Sequence, residues 1–386
     1  MEKHFKSLWD KKVEYKEVEG YNFGEIKAIT YDGIEFNGKK TKVFAYIGFP
    51  DTTEKVPAVV LAHGGGGVAF AEWVKMWNDR GYAAIAMSNT GDFPEIPNTW
   101  DFPEESGDHK KHWHHGLFGM FEEEGYTDAP NYDGMKDCKK PVEEQWMYHA
   151  VSQTILAGNI LRDDPRVDSN KIGITGVSWG GVITSLTIGY DNRFAFAIPI
   201  YGSGYLAQSM GRLGDVFRMD GNTKNWLAEC NFDKANMPVL WLCWNADSSF
   251  SLNSNSLSYI DTIKNNPETR ISAIHELLHA HYCGWPREES YTFADSVCKG
   301  TKRLPSVGVD STEIINPDNV KILDVKTYYL KNPMSYVVVD EKYQMTEKWK
   351  TMDGQRRLPK NAEYYIEITS EINGIKHITT SEMRKK

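Results

Sequence analysis

The stretch from Lys171 to Ile188 constrains this chain more than any other. Lys171-Ile-Gly-Ile-Thr175 is a short, continuously apolar run, and Gly181-Val-Ile-Thr-Ser-Leu-Thr-Ile188 can form a helix; only Gly176-Val177-Ser178-Trp179-Gly180 lies between them. A strand that is apolar on both faces belongs in a sheet covered by helices on both sides, which is the habit of parallel sheets. Passing from strand to helix in five residues demands a tight, strained turn. Glycines give it room, and the serine at its apex is pushed clear of the backbone.

The same grammar recurs along the chain. Ala58–Ala62, Ala83–Met87, Phe196–Ile200, Val239–Cys243 and Arg270–Ile274 read as further buried strands, each followed by a turn and a helix-like segment. Hairpin-like strands at Ile26–Tyr31 and Thr41–Ile47, with a turn at Asp32-Gly33, lead into them. The expectation is an α/β fold with a mostly parallel sheet over residues 1–300. Residues 91–141 carry no sustained period and are too long for a plain connector, so they are expected to form a lid or pocket wall. A helix is expected from Glu143 to Leu161, with Trp146, Tyr148 and His149 packed in the core. After a linker at 301–318, the alternating pattern of 319–386 predicts a small antiparallel β-sandwich.

Composition excludes several classes of function. The 386 residues carry 44 basic against 53 acidic side chains, a formal charge of −9, which gives no field to attract nucleic acid. No stretch approaches eighteen apolar residues, and the first dozen residues lack the apolar run of a secretory signal, so the expectation is a cytoplasmic protein without a membrane partner. The five cysteines are odd in number and form no close pair, which favours free thiols over disulfides or zinc.

The chemistry converges on Ser178. A serine hydroxyl is a weak nucleophile until a histidine, oriented by a carboxylate, takes its proton. Asp247 follows the strand Val239–Cys243, and His279 and His281 follow the strand that begins at Arg270, giving the chain order serine, acid, histidine. His279 is the expected base and His281 the alternative, otherwise lining the pocket. His63-Gly64-Gly65-Gly66-Gly67, directly after a buried strand, can aim backbone N–H groups into a cavity; Gly65 and Trp179 are the expected donors to an oxyanion. The glycine loop lacks the lysine of a phosphate-binding loop. His109, His112, His114 and His115 match no familiar metal site, and no cofactor is expected. Trp100, Phe102, Trp113, Phe118 and Phe121 are expected to line or cover the pocket, with Trp100 and Trp113 contacting substrate.

Residues 57–300 resemble the α/β-hydrolase core of acetyl xylan esterases and cephalosporin C deacetylases, dienelactone hydrolases and prolyl-oligopeptidase-like enzymes. The match rests on Leu61–Gly67 with Trp73 and Arg80–Ala84, on Val167–Gly181, and on His279-Ala-His281 with Gly284-Trp285. The resemblance implies Ser178, Asp247 and His279 as a triad. The relatives cleave acetyl esters, lactones, aryl esters and peptides alike; the ordered serine, acid and histidine with the glycine loop make a small-molecule ester the expected substrate, acylated carbohydrate among them. A serine peptidase for short peptides and a carbohydrate- or partner-binding protein with a vestigial core are the rival readings.

Overall fold

The computed structural model describes residues 1–65, 67–94, 116–275, 277–340, 342–354 and 358–386. Among the described residues, nine strands form the main sheet: β1 (Tyr15–Glu17), β2 (Lys27–Asp32), β3 (Lys42–Gly48), β4 (Val56–Ala62), β5 (Ala83–Met87), β6 (Val167–Val177), β7 (Ala197–Ile200), β8 (Leu240–Trp244) and β9 (Arg270–Ile274). Their order is β1-β2-β3-β5-β4-β6-β7-β8-β9. β1, β2 and β3 are antiparallel, β3 joins β5 antiparallel, and every pairing from β5 to β9 is parallel. The continuous apolar runs are the reason: every residue of β5, β7 and β9 is buried, as a strand covered on both faces must be.

The chain leaves β4 for β5 on one side and returns to β6 on the other. That reversal is a topological switch point, and open α/β sheets take their ligands at such a point, beyond the carboxyl ends of the strands, here β4 and β6. Helices Trp146–Asp163 and Trp179–Tyr190 lie against these central strands, and all twelve residues of the second are buried. Trp146, Tyr148 and His149 are buried, as expected of core positions. No helix among the described residues is long and apolar enough to cross a membrane.

One turn differs from expectation. Asp32 and Lys42 are still paired, and the β2–β3 connection closes instead on Asn37 and Gly38, whose φ values of 52° and 74° suit a mirror-image turn inside the Phe36–Lys39 bridge. The first Asp-Gly is spent as extended chain because strand pairing continues past it.

The C-terminal residues form a five-stranded antiparallel sheet of Lys321–Leu330, Lys350–Met352, Glu363–Ile372, Ile375–Thr380 and Arg384–Lys385. Residues 301–318 include the short ribbon Ser306–Val307 with Ile314–Ile315. Ile375–Thr380 packs on β9, the last strand of the main sheet. There Ser272 Oγ donates to the Ile378 carbonyl at 2.6 Å, and the Ala273 N–H donates to Thr380 Oγ1 at 3.2 Å. Leu304, Tyr328, Leu330, Trp349 and Tyr365 share one apolar core with the main sheet.

Candidate active site

β6 delivers the chain to Ser178 and the helix Trp179–Tyr190 departs from it at once. Ser178 sits at φ 58°, ψ −118°, a conformation that costs an L-residue about 1–3 kcal/mol. The surroundings hold it there. Its N–H donates to the Ile200 carbonyl at 2.8 Å, and a Cβ on Gly180 would lie 1.9 Å from the Ala62 carbonyl oxygen, so only glycine lets the helix come this close to β4.

Asp247 and His279 arrive from the ends of β8 and β9. Asp247 is 1% exposed; its Oδ1 accepts from the backbone N–H groups of Ser249 and Phe250 at 2.7 and 3.0 Å, leaving Oδ2 for His279 Nδ1 at 2.6 Å. His279 Nε2 lies 2.9 Å from Ser178 Oγ. With Nδ1–H directed at the carboxylate, Nε2 is left with its lone pair toward the hydroxyl. The imidazole packs against two rings, Phe250 at 5.7 Å and a 6° interplanar angle and Tyr201 at 4.9 Å and 35°. Such an arrangement can take a proton from Ser178 as its oxygen attacks and return it later.

His281, the alternative base, is engaged elsewhere. Its Nε2 accepts from the Gly64 N–H at 2.9 Å, and its ring packs on Phe70 and Trp285. Burial, with His63 and His279 adding smaller effects, depresses its pKa to about 3. It is therefore neutral near pH 7. His63, buried with its pKa lowered, braces the same loop: Nδ1 donates to the Gly64 carbonyl at 2.8 Å, and Nε2 accepts from the Asn89 N–H at 3.0 Å.

The glycine loop thus hangs between two imidazoles, with Gly65 directed at the start of the helix that follows Ser178. A Cβ on Gly65 would meet the Trp179 ring at 2.7 Å and the Tyr132 ring at 3.3 Å. The Trp179 N–H belongs to the first helical turn, where amides have no intrahelical acceptor. Trp179 also packs against Tyr132, Trp146 and Phe217, at 5.2, 5.7 and 6.0 Å between ring centroids.

Trp100, Phe102, Trp113, His109, His112, His114 and His115 lie outside the described residues. Phe121 packs on Phe93, whereas Phe118 is an exposed ring. Sequence reasoning missed Tyr132, Tyr201, Phe217 and Phe250. Tyr132 stood in the suspected pocket wall, Phe250 just after the acid and Tyr201 directly after the strand Phe196–Ile200, which were usable signals; Phe217 carried none.

A model of the dienelactone hydrolase family matches residues 43–297. No curated protein sequence matches the chain. Among solved structures, the acylaminoacyl peptidase of Pyrococcus horikoshii superposes with a TM-score of 0.52 at 14% identity, covering 72% of this chain and 43% of that one. This chain therefore spans less than half the length of that peptidase, and at such identity the likeness is one of fold. Acetyl xylan esterase 1 from a Thermoanaerobacterium species is 14% identical, with 70% and 85% coverage and a TM-score of 0.45. The acetyl xylan esterase of a Paenibacillus species is 15% identical, with 72% and 88% coverage and a TM-score of 0.48.

Proposed function

The chain belongs to the dienelactone hydrolase family and is a serine hydrolase; from that premise we propose that it cleaves carboxylic esters through an acyl-enzyme on Ser178. One observation carries the reading: a continuous hydrogen-bonded line from Asp247 Oδ2 through His279 to Ser178 Oγ, at 2.6 and 2.9 Å. Ser178 Oγ attacks the ester carbonyl carbon while its proton passes to His279 Nε2. The carbonyl oxygen becomes an oxyanion facing the N–H groups of Gly65 and Trp179, donors of a kind worth roughly 3–4 kcal/mol each. Collapse of this intermediate breaks the bond to the alcohol, which leaves with the proton from His279. Water then adds to the acyl-enzyme by the same route, its proton moving to His279. The carboxylic acid departs and Ser178 recovers its hydrogen. Asp247 holds the imidazole in one tautomer throughout.

The substrates in this reading are small acyl or aryl esters, acetylated carbohydrates among them. Support comes from the Tyr132 and Trp179 rings beside Gly65, which crowd the space next to the expected oxyanion donors. Ser178→Ala should lower kcat on p-nitrophenyl acetate by on the order of 10⁶-fold. Retained activity would sink the assignment. Across a panel, acetyl esters should outrun butyryl and feruloyl esters, and faster cleavage of aminoacyl or prolyl amides would point to a peptidase instead.

A further inference from the structure

The loop that presents Asp247 does not stand by itself. It leaves β8 at Trp244, and its backbone carbonyls at Asn245 and Asp247 are met by side chains from far down the chain. The Trp349 indole N–H donates to the Asn245 carbonyl and the Tyr336 hydroxyl to the Asp247 carbonyl, each at 2.8 Å. The Asn245 side chain, fully buried, donates to the Tyr365 hydroxyl at 2.7 Å, and the Tyr365 ring stacks on Tyr328 at 5.1 Å. Three aromatic side chains from three separate C-terminal segments thus converge on two residues of one loop, Asn245 and Asp247.

We propose that the C-terminal β segment is a working part of the active site, with Tyr336 as the residue that positions Asp247 against His279. This rests on the reading of Ser178, His279 and Asp247 as the catalytic set. The Asp247 carboxylate is already fixed from inside its loop by the Ser249 and Phe250 amides, and the loop is held at the Asn245 N–H by the Ile274 carbonyl and at the Ser248 carbonyl by the Arg212 N–H, so what remains is the freedom of the peptide carbonyl at Asp247 itself. Tyr336 removes that freedom at the residue that carries the carboxylate. Its strand, Tyr336–Val339, is tied down in turn: it pairs with Lys342–Met345, and two residues earlier the Met334 N–H donates to Glu363 Oε2 at 2.6 Å in the C-terminal sheet. The positioning force therefore runs from the C-terminal sheet, through one hydroxyl, to the acid.

Tyr336→Phe keeps the ring and deletes the hydroxyl. The change should lower kcat on p-nitrophenyl acetate about tenfold, the scale on which partners behind a reacting group act, while KM moves less than about twofold. The discriminating measurement is a double-mutant cycle. If Tyr336 acts through Asp247, then Tyr336→Phe should cost nothing further in an Asp247→Asn background, whereas losses that multiply would mean only a general structural role. Trp349→Phe carries the same test at Asn245 should Tyr336→Phe fail to fold. Full activity in the folded variant, or multiplied losses in the cycle, overturns the inference. Labelling by a fluorophosphonate separates this failure from that of the underlying reading. If the wild-type protein labels at Ser178 and Asp247→Asn is impaired while Tyr336→Phe is not, only the role of Tyr336 falls. If Ser178 does not label at all, the catalytic set falls with it.

Discussion

Ser178 occupies a backbone conformation that glycine accepts and serine resists, at φ 58°, ψ −118°. The strain released on substituting glycine, about 1–3 kcal/mol, exceeds the roughly 0.4–1 kcal/mol by which glycine loosens the unfolded chain. Ser178→Gly should therefore melt higher than Ser178→Ala, by the equivalent of about 1 kcal/mol, although neither hydrolyses esters. Equal melting temperatures would show that the turn stores no strain. The residues of this site differ in how far the sequence disclosed them. Ser178, Asp247 and His279 each lie beyond an apolar run at the carboxyl end of a strand, so local pattern and chain order bring them forward as candidates. His279 and His281 are two residues apart, and only three-dimensional contact tells them apart: one faces Ser178, the other the Gly64 amide. Tyr336 and Trp349 reach the acid loop across about ninety residues or more, a distance over which no local pattern operates.

Among the elements, the buried strands were the most legible, because a run such as Ala58–Ala62 has no polar side to misplace. Turns were less so. The connection between β2 and β3 contains both Asp32-Gly33 and Asn37-Gly38, two dipeptides with the same turn chemistry, and pairing of the flanking strands decides which one bends. Gly38 sits at φ 74° with nothing within 4 Å of where a Cβ would be, so conformation is the only obstacle to a side chain there. Gly38→Ala should cost about 1–2 kcal/mol by chemical denaturation. Ester hydrolysis should be unchanged below the melting range. An unchanged stability would return the turn to Asp32-Gly33. The C-terminal strands announced themselves by alternation, but their seat against β9 did not, since Ile378 and Thr380 meet Ser272 and Ala273 only through folding.

Over the whole molecule, stability responds to pH through buried groups of opposite sense. Burial lowers the pKa of His149 to about 4 and of His281 to about 3, so below the ordinary imidazole value of 6.5 the unfolded chain takes up protons that the folded one refuses, and stability falls as pH falls. Glu367 opposes them. Burial raises its pKa from 4.5 to about 7, so its favourable contribution is complete below 4.5 and is lost as pH rises through 7. Glu367→Gln, which keeps the shape without the charge, should make the protein more stable than wild type at pH 8. That advantage should shrink by about 1.4 kcal/mol per pH unit between pH 7 and 4.5. A difference that does not vary with pH would mean that Glu367 titrates normally.

A nine-stranded sheet with two bare margins would be a template on which other chains could grow. Here the N–H of Ala273 on the last strand is bonded to Thr380, and at the opposite margin lies a strand of three exposed residues, Tyr15–Glu17, two of them charged. Among the described residues, one margin is thus blunted at Ala273 and the other is short and well solvated, a poor seed for a cross-β filament.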